Sequence, residues 1–414
     1  MYQMRQWIAA AEAELNREFA LERLLDLTAA SGPNAEPGPE DAEPGLAAEP
    51  FPNAQLRPSA EPFPNAQLRP SAEPFPNAQP RPSAAPVPTH HALAWEQARS
   101  RARDSAGQPL PLVTRDLDVA LGHALAGPLT ALTALTAPTD VPPAGSVPAP
   151  PRRQEGRTGE VLLPAGTVVT PVVLGLAAAA GHDRLAVHRR PRVELLLLGE
   201  ELPPSGPARA HRAPDVIGPL LPPWLTRHGA EVIGRRRVQD DTARLRDALR
   251  DSTADVVVAA GGTAAGPMDP LRTALGGSGA RLLVDSVAVR PGHPMLLAEL
   301  PPSPDGRPRF LVGLPGEPQA SVAGAVTLAV PLLRRLGGHA DPQPYRMYAA
   351  VDLPGHPHDT RLLPVRRAPH GVAPLVCDGP AKLLGLAVAD GLAVVPPGGA
   401  PAGTGVEVLE VPGP

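Results

Sequence analysis

The sequence of 414 residues contains one cysteine, Cys377, and its aromatic residues make up only 3% of the chain. A single cysteine excludes an intrachain disulfide and any zinc site built from several cysteines. Because aromatic residues are scarce, the core must be built mainly from Leu, Val and Ala. The 38 basic and 42 acidic side chains nearly balance. The chain therefore lacks the excess of positive charge that is typical of nucleic-acid-binding proteins.

Long hydrophobic segments are also lacking. The N-terminus is charged and amphipathic, unlike a secretory signal peptide. The most apolar run, Ala323–Leu333, is too short to span a membrane and contains Pro331. We expect no membrane insertion and a cytoplasmic location.

Proline is abundant, with 59 residues, and it is unevenly spread along the chain. Residues 1–30 have the apolar spacing of a helix, and residues 31–87 predict a disordered, Pro-rich linker. This linker repeats AEPFPNAQLRPS at 48–59 and 60–71, and again at 72–83 with one Leu replaced by Pro80. Proline interrupts both helices and strand ladders, so the repeats favour an extended conformation. They can serve as a docking site for a partner or simply as a spacer.

The remaining chain predicts three regions. Residues 88–187 predict a helical segment and linker, with helices at His91–Ala106 and Leu117–Thr136. From 188 to 338, apolar strands alternate with helices, which is typical of a three-layer α/β domain with a mostly parallel sheet. Residues 343–412 lack a helical period and predict a small all-β domain. The predicted strands and helices of the α/β domain are Val193–Leu198, Ile217–His228, Ala230–Ile233, Asp240–Arg250, Asp255–Ala260, Asp269–Leu275, Arg281–Val289, Phe310–Val312 and Glu317–Leu336.

A glycine-rich loop follows the apolar strand Asp255–Ala260. Glycines after a strand allow a ligand to approach the backbone, and the next helix offers free N–H groups to an anion. A tight strand-to-helix turn is the alternative explanation. The candidate ligand-binding residues in this loop are Gly261, Gly262, Thr263 and Gly266.

Two further loops carry Pro-Gly turns. Arg290 and His293 flank the first, where a stiff base would present positive charge to a phosphate or another oxyanion. A surface turn with incidental charges is the alternative. The second leads from a strand into the long helix, and its candidates are Gly313, Pro315, Gly316 and Ser321. Glu317 is unexpected there, because it adds a negative charge beside a supposed anion site.

Carboxylates lie at the ends of other predicted strands. Glu201, Asp240, Asp241 and Asp269 could hold Mg²⁺, which prefers a few carboxylates and several waters. The two adjacent aspartates could instead cap the helix that follows them.

The order of these segments resembles one known family, the molybdopterin molybdenumtransferases, which include the C-terminal part of gephyrin. The resemblance extends into the last region through residues 379–398 and 401–409. It rests on LPAGTVVTPVVLGLAAAAG, RPRVELLLLGEEL, VQDDTARLRDAL, AGGTAAGPMD, VRPGHP and GLPGEPQAS in this order.

The resemblance implies a domain that binds adenylylated molybdopterin, into which molybdate is inserted with Mg²⁺ and release of AMP. It implies that the glycine loop cradles the pterin phosphate and that Asp269, Arg290 and His293 are catalytic. Ser321 and Arg361 would face molybdate or pyrophosphate, and the chain would form a homodimer or a dimer with a paralogue.

The sequence also departs from the family pattern. An S-A-M-D-G motif and most of the inserted domain that follows it are absent from the sequence, and the family's Asn in G-L-P-G-N-P is Glu317. A catalytically impaired molybdopterin-binding carrier or scaffold is therefore the alternative function.

Overall fold

The computed structural model describes residues 92–135, 156–199, 215–239, 241–261, 269–375 and 382–411. The N-terminal helix and the repeat-containing linker predicted for residues 1–87 lie outside these ranges. The strands in the described ranges are β1 (Leu93–Ala94), β2 (Leu112–Asp116), β3 (Leu129–Thr130), β4 (Val161–Leu163), β5 (Arg184–His188), β6 (Arg192–Leu198), β7 (Glu231–Val238), β8 (Val256–Ala260), β9 (Arg281–Asp285), β10 (Val287–Arg290), β11 (Leu296–Leu300), β12 (Arg309–Leu314), β13 (Arg346–Tyr348), β14 (Thr360–Ala368), β15 (Gly371–Pro374), β16 (Gly391–Val395) and β17 (Gly405–Leu409). The helices are α1 (Trp95–Ser105), α2 (Pro171–Ala179), α3 (Ile217–Arg227), α4 (Thr242–Asp251), α5 (Pro270–Gly276), α6 (Pro318–Gly324), α7 (Val330–Leu336) and α8 (Lys382–Ala387).

A six-stranded sheet forms the centre of the α/β domain, in the order β7-β6-β8-β12-β11-β9. The first four strands are parallel, and β11 runs antiparallel to both of its neighbours, β12 and β9. The apolar runs of β6 and β8 suit central strands, which are covered on both faces. The predicted mostly parallel sheet is confirmed.

Helices cover both faces of this sheet. Neighbouring residues of one strand point to opposite faces, so that Leu195 and Leu196 enter different clusters of buried residues. On one face the sheet packs against α1, α3, α6 and α7 through residues that include Trp95, Leu221, Trp224, Ala323, Leu328 and Leu332. On the other it packs against α4 and α5 through Leu245, Ala248, Leu249, Leu271, Ala274 and Leu275. The three-layer prediction is therefore confirmed.

The strand predicted at Arg281–Val289 is two strands in two different sheets. Ser286 has a positive φ of 71° and separates β9 from β10. The Ser286 N–H donates to the Met295 carbonyl, and the Ser286 carbonyl accepts from the Leu93 N–H. An apolar run shows burial but does not show to which sheet each half belongs, so the sequence pattern missed this break.

A second sheet has seven strands, with the order β1-β10-β14-β16-β17-β13 and β15 paired with β14. The predicted small β region at the C-terminus is confirmed, with two differences. It contains the short helix α8, and its sheet includes β1 and β10 from earlier parts of the chain. This sheet therefore joins the C-terminal region to the loop that begins at Arg290.

The helix predicted at Leu117–Thr136 was wrong. The segment contains a single 3-10 turn at Leu117–Val119, the strand β3, and isolated bridges from Ala124 to Val168 and from Leu125 to Val187. Gly122 has a positive φ of 77°, which a helix does not permit. The Leu/Ala spacing instead buries Ala120, Leu125 and Leu129 in a small cluster with residues of α2 and β5.

The predicted helix Glu317–Leu336 is confirmed as α6 and α7, joined by the π-helical segment Ala325–Ala329. Pro331 lacks the N–H group that would bond four residues back, which favours an irregular turn here. Trp95 of α1 donates to the hydroxyl of Thr327 in this segment at 3.0 Å. Among the described residues no helix is both long and apolar enough to cross a membrane.

Candidate functional site

Three loops meet at Gly261, at the carboxyl ends of parallel strands. The Gly261 N–H donates to the Leu314 carbonyl at 2.9 Å, which links the ends of β8 and β12. Gly261 has a φ of 95°, and a Cβ atom there would lie 2.7 Å from the Leu198 carbonyl oxygen at the end of β6. Glycine is thus required at this position both for the conformation and for the close approach.

The turn between β12 and α6 reaches the same point through Gly316. A Cβ atom on Gly316 would lie 3.5 Å from the Gly261 Cα atom. This contact places the second Pro-Gly turn beside Gly261, the first residue of the glycine-rich segment. Of the other predicted site residues, Gly262, Thr263, Gly266, Glu201 and Asp240 lie outside the described residues.

Two other candidates, Gly313 in β12 and Ser321 in α6, have structural contacts instead. Gly313 is buried in β12, where a Cβ atom would overlap Leu271 and Leu296 at 2.8 Å. Ser321 is fully buried and donates its hydroxyl to the Pro315 carbonyl. This geometry does not support the predicted contact of either residue with a ligand. Gly313 allows Leu271 and Leu296 to pack closely against β12, and Ser321 stabilises the turn.

Glu317 caps the N-terminus of α6. Its carboxylate accepts from the N–H groups of Gln319 at 3.3 Å and Ala320 at 2.7 Å. These are two of the free donors that a helix N-terminus would otherwise offer to an anion. Glu317, which was unexpected in the sequence, therefore takes up N–H groups at the helix end that an anionic ligand would otherwise use.

Arg290 and Arg361 lie side by side on neighbouring parallel strands. They are register partners of β10 and β14. Arg290 Nε donates to Asp359 Oδ2 at 2.7 Å, and Arg361 Nη1 donates to the Pro354 carbonyl at 3.3 Å. The Arg290 side chain is 50% exposed, so its terminal nitrogens can reach a ligand from solvent. The two arginines, for which the resemblance implies contact with molybdate or pyrophosphate, are therefore neighbours in the structure.

The loop after Arg290 packs against the start of the long helix. A Cβ atom on Gly292 would lie 3.2 Å from the Ala320 carbonyl and 3.4 Å from the Ala323 Cβ atom. Ala320 is one turn beyond the β12–α6 turn, so the two Pro-Gly loops are neighbours. His293 accepts from the Val287 N–H through its carbonyl, while its Nδ1 atom is buried without a partner among the described residues.

The loop Pro354–Asp359 contributes two residues that the sequence pattern did not single out. Asp359 is 7% exposed and anchors Arg290. His356 Nδ1 accepts from the N–H groups of Asp359 at 3.0 Å and His358 at 3.3 Å. The same Nδ1 lies 3.5 Å from Asp359 Oδ2, farther than Arg290 Nε, which lies at 2.7 Å from this oxygen. The PGHPHD sequence signals a turn, but not its partner 69 residues earlier.

The carboxylates proposed for Mg²⁺ are engaged elsewhere in the described structure. Asp241 is exposed and caps α4 by accepting from the Arg244 N–H at 2.8 Å, so the capping alternative is correct for it. Asp269 caps α5 and is paired with Arg272. Among the described residues no group of three or more His, Cys, Asp or Glu side chains could hold a metal ion. Asp269 and Asp241 therefore do not fit a shared Mg²⁺ site.

Comparison with known proteins gives the same two-part division as the structure. A family model described as a probable molybdopterin binding domain matches residues 194–335, and one described as the MoeA C-terminal region (domain IV) matches residues 346–411. The first match covers the central sheet with its glycine turns, and the second covers the strands beside Arg361.

Named relatives agree with these matches. A molybdopterin molybdenumtransferase of Nostoc sp. is 32% identical over 187 residues, which are 44% of this chain and 42% of that protein. Molybdopterin molybdenumtransferase 2 of Mycobacterium tuberculosis is 29% identical over 58% of this chain and 60% of its own length. The chain spans about half the length of these curated relatives.

Solved structures share the fold at low sequence identity. The molybdopterin biosynthesis MoeA protein of Pyrococcus horikoshii aligns over 77% of this chain and 99% of its own, with a TM-score of 0.60 and 14% identity. A molybdenum cofactor biosynthesis protein of Pyrococcus furiosus aligns over 77% and 98%, with a TM-score of 0.55 and 21% identity.

The fold and the two matched regions define a protein with a molybdopterin-binding α/β domain followed by a MoeA-type C-terminal region. The chain is similar to molybdopterin molybdenumtransferases over these two regions, and it diverges from their sequence pattern at the positions described above.

Proposed function

We propose that this chain inserts molybdate into adenylylated molybdopterin and releases AMP, as a step of molybdenum cofactor biosynthesis. The observation that carries the proposal is the pairing of Arg290 with Arg361 beside the turns that meet at Gly261. Two guanidinium groups on adjacent strands suit a tetrahedral oxyanion, and bare backbone at the glycines suits a phosphate.

The roles follow from these positions. Gly261 and Gly316 would allow the pterin phosphate to approach the sheet edge, with Gly262, Thr263 and Gly266 completing the cradle. Arg290 and Arg361 would bind molybdate, and His293 would lie in the loop that faces it. Catalysis would depend mainly on positioning and on neutralising the charge of both anions. Whether the reaction also needs Mg²⁺ is part of the test below.

A second candidate is a molybdopterin-binding carrier or scaffold without turnover. The cap formed by Glu317 favours it, because this carboxylate takes donors at a helix end that would otherwise face an anionic substrate. A dimer with a paralogue would then supply the missing groups, and sedimentation analysis of the chain with and without that paralogue would test it.

One experiment separates the two candidates. The purified chain is mixed with adenylylated molybdopterin, and AMP release is followed with and without molybdate and Mg²⁺. Release that requires molybdate and falls sharply in Arg290→Ala and Arg361→Ala supports the transferase. Tight binding of the pterin without AMP release would contradict the transferase and support the carrier. Asp269→Asn serves as a further variant, since the resemblance assigns Asp269 a catalytic role.

A further inference from the structure

The guanidinium group of Arg272 bridges two aspartates at the edge of the candidate site. Its Nη1 donates to Asp269 Oδ2, while Nε and Nη2 approach Asp285 Oδ1 at 2.8 and 2.7 Å. The Asp269 side chain is 1% exposed and the Arg272 side chain 24% exposed. The bridge is therefore a largely buried cluster of one cation and two anions.

Local structure determines this geometry. Asp269 is the N-cap of α5, and its Oδ1 accepts from the N–H groups of Leu271 at 2.8 Å and Arg272 at 3.2 Å. The Arg272 side chain starts three residues later, on the same side of the first turn. Asp285 ends β9, the strand that follows α5. Backbone bonds thus hold one oxygen of Asp269 and leave the other for Arg272.

A metal ion at Asp269 would compete with this arrangement. Mg²⁺ needs oxygen ligands at about 2.0–2.1 Å in an octahedral shell that usually keeps several waters. Both oxygens of Asp269 already accept hydrogen bonds, and the carboxylate is buried away from solvent. A metal could bind Asp269 only after displacing the guanidinium.

We propose that Arg272 is a resident cation which neutralises Asp269 and Asp285, and that Asp269 is therefore not a metal ligand in this chain. Its consequence for molybdate insertion rests on the proposed function, whereas the statement about metal binding to Asp269 does not. An arginine keeps its charge throughout the physiological pH range and forms fixed, directed bonds to carboxylates. Chelators do not remove it.

The test uses Mn²⁺ as a probe for Mg²⁺, with the full chain and without pterin. Mn²⁺ binding is measured by calorimetry and by electron paramagnetic resonance for the wild type, Asp269→Asn and Arg272→Gln. Asparagine can still cap the helix, so Asp269→Asn is expected to leave Mn²⁺ binding unchanged. Arg272→Gln removes the guanidinium from both carboxylates and is expected to add a site that binds Mn²⁺ about tenfold or more tightly than any wild-type site.

Asp241→Asn is the matched control, because Asp241 is also an N-cap aspartate but is exposed and has no arginine bridge. A wild-type Mn²⁺ site that disappears in Asp269→Asn, but not in Asp241→Asn, would overturn the proposal. So would a folded Arg272→Gln variant that gains no Mn²⁺ site.

If Arg272→Gln does not fold, the comparison of the wild type with Asp269→Asn still decides the question. Arg272→Lys then adds a folded variant that keeps one charge but cannot span both carboxylates, and an intermediate gain of Mn²⁺ binding supports the proposal. Failure of molybdate-dependent AMP release would contradict the proposed function without altering any of these metal-binding results.

Discussion

The two ends of the central parallel sheet use the same residue types in opposite ways. At the amino end, Asp255 is 3% exposed and accepts from both terminal nitrogens of Arg189 at 2.9 Å, from Arg307 at 3.0 Å and from the Arg192 N–H at 2.7 Å. Near the carboxyl end, the loop that follows β10 of the second sheet packs against the start of α6, and Arg290 of β10 has one anchored nitrogen and a half-exposed side chain.

The difference separates a region that serves stability, at the amino end of the central sheet, from a region that serves binding, near its carboxyl end. Polar groups at the amino end are buried and paired with one another, as in the side chain of Arg309, which donates to three backbone carbonyls. Near the carboxyl end, glycines without side chains leave the backbone accessible to a ligand, and the cations Arg290 and Arg361 keep N–H groups that can bind one. Changes at the amino end should therefore affect folding first, and changes at the carboxyl end should affect ligand binding first.

The largest expected effect is on folding and follows from Asp255→Ala. This change leaves two arginines and a backbone N–H without their shared acceptor, and breaking a buried ion pair in this way costs about 3–5 kcal/mol. Urea unfolding at neutral pH measures the loss. Asp305→Ala is the control, because Asp305 also pairs with Arg307 but is exposed. Equal losses in both variants would contradict the special role of the amino end.

A second effect at the amino end depends on pH. Burial lowers the pKa of His339 to about 4, and the nearby charges of Arg334 and Arg190 lower this pKa further. Burial also lowers the pKa of His228 to about 4. Because the unfolded chain then binds more protons than the folded chain between about pH 6.5 and pH 4, stability falls as the pH falls through this window. Each histidine contributes about 3 kcal/mol to the loss.

Urea unfolding at several pH values between 7 and 4 checks this expectation. His339→Leu removes one of the two titrating groups and should make the dependence on pH shallower by about one proton. His358→Leu is the control, since His358 is exposed. A pH dependence that is unchanged in His339→Leu would show that this buried imidazole does not control acid stability.

Several parts of this contrast were accessible from the sequence. The buried strands β6 and β8 stand out as apolar runs, and the glycines after β8 and β12 mark the loops that meet at Gly261. Local pattern suffices there, because strand direction alone brings the carboxyl ends of parallel strands together.

Other parts depend on contacts that local pattern does not contain. The Leu/Ala spacing of residues 117–136 is the same for a helix and for a loop that buries Ala120 and Leu125, so the predicted helix was wrong. The pairing of Arg290 with Asp359 depends on β10 lying beside β14 in the second sheet, after the chain leaves the central sheet at Ser286. In contrast, the i,i+3 spacing of Asp269 and Arg272 could have indicated their ion pair.

A smaller effect on stability is expected from Gly261→Ala at the carboxyl end. The positive φ and the approach of the Leu198 carbonyl at 2.7 Å predict a loss of about 1–3 kcal/mol together with weaker pterin binding. Gly316→Ala is the matched control, because its Cβ atom would meet only an ordinary contact at 3.5 Å. Thermal unfolding compares the two variants, and equal melting temperatures would refute the close approach at Gly261. Pterin titration of Gly261→Ala checks the effect on binding.

The smallest effect on stability, with a clear effect on binding, is expected from Asp359→Asn. The ion pair with the half-exposed Arg290 contributes less than about 1 kcal/mol to folding. Without the carboxylate, however, Arg290 loses the contact that orients it, and the KM for molybdate in AMP release should rise about tenfold with a smaller change in kcat.

Asp352→Asn is the matched control for this variant, because Asp352 is an exposed carboxylate nearby that accepts only from the Ala402 N–H. Asp359→Glu should restore part of the molybdate affinity, since its carboxylate can still reach Arg290. If Asp359→Asn instead lowers the melting temperature strongly and leaves the KM for molybdate unchanged, Asp359 belongs with Asp255 as a folding residue. That result would contradict the contrast between the two ends of the sheet, because Asp359 is the residue for which the contrast predicts an effect on binding with little effect on stability.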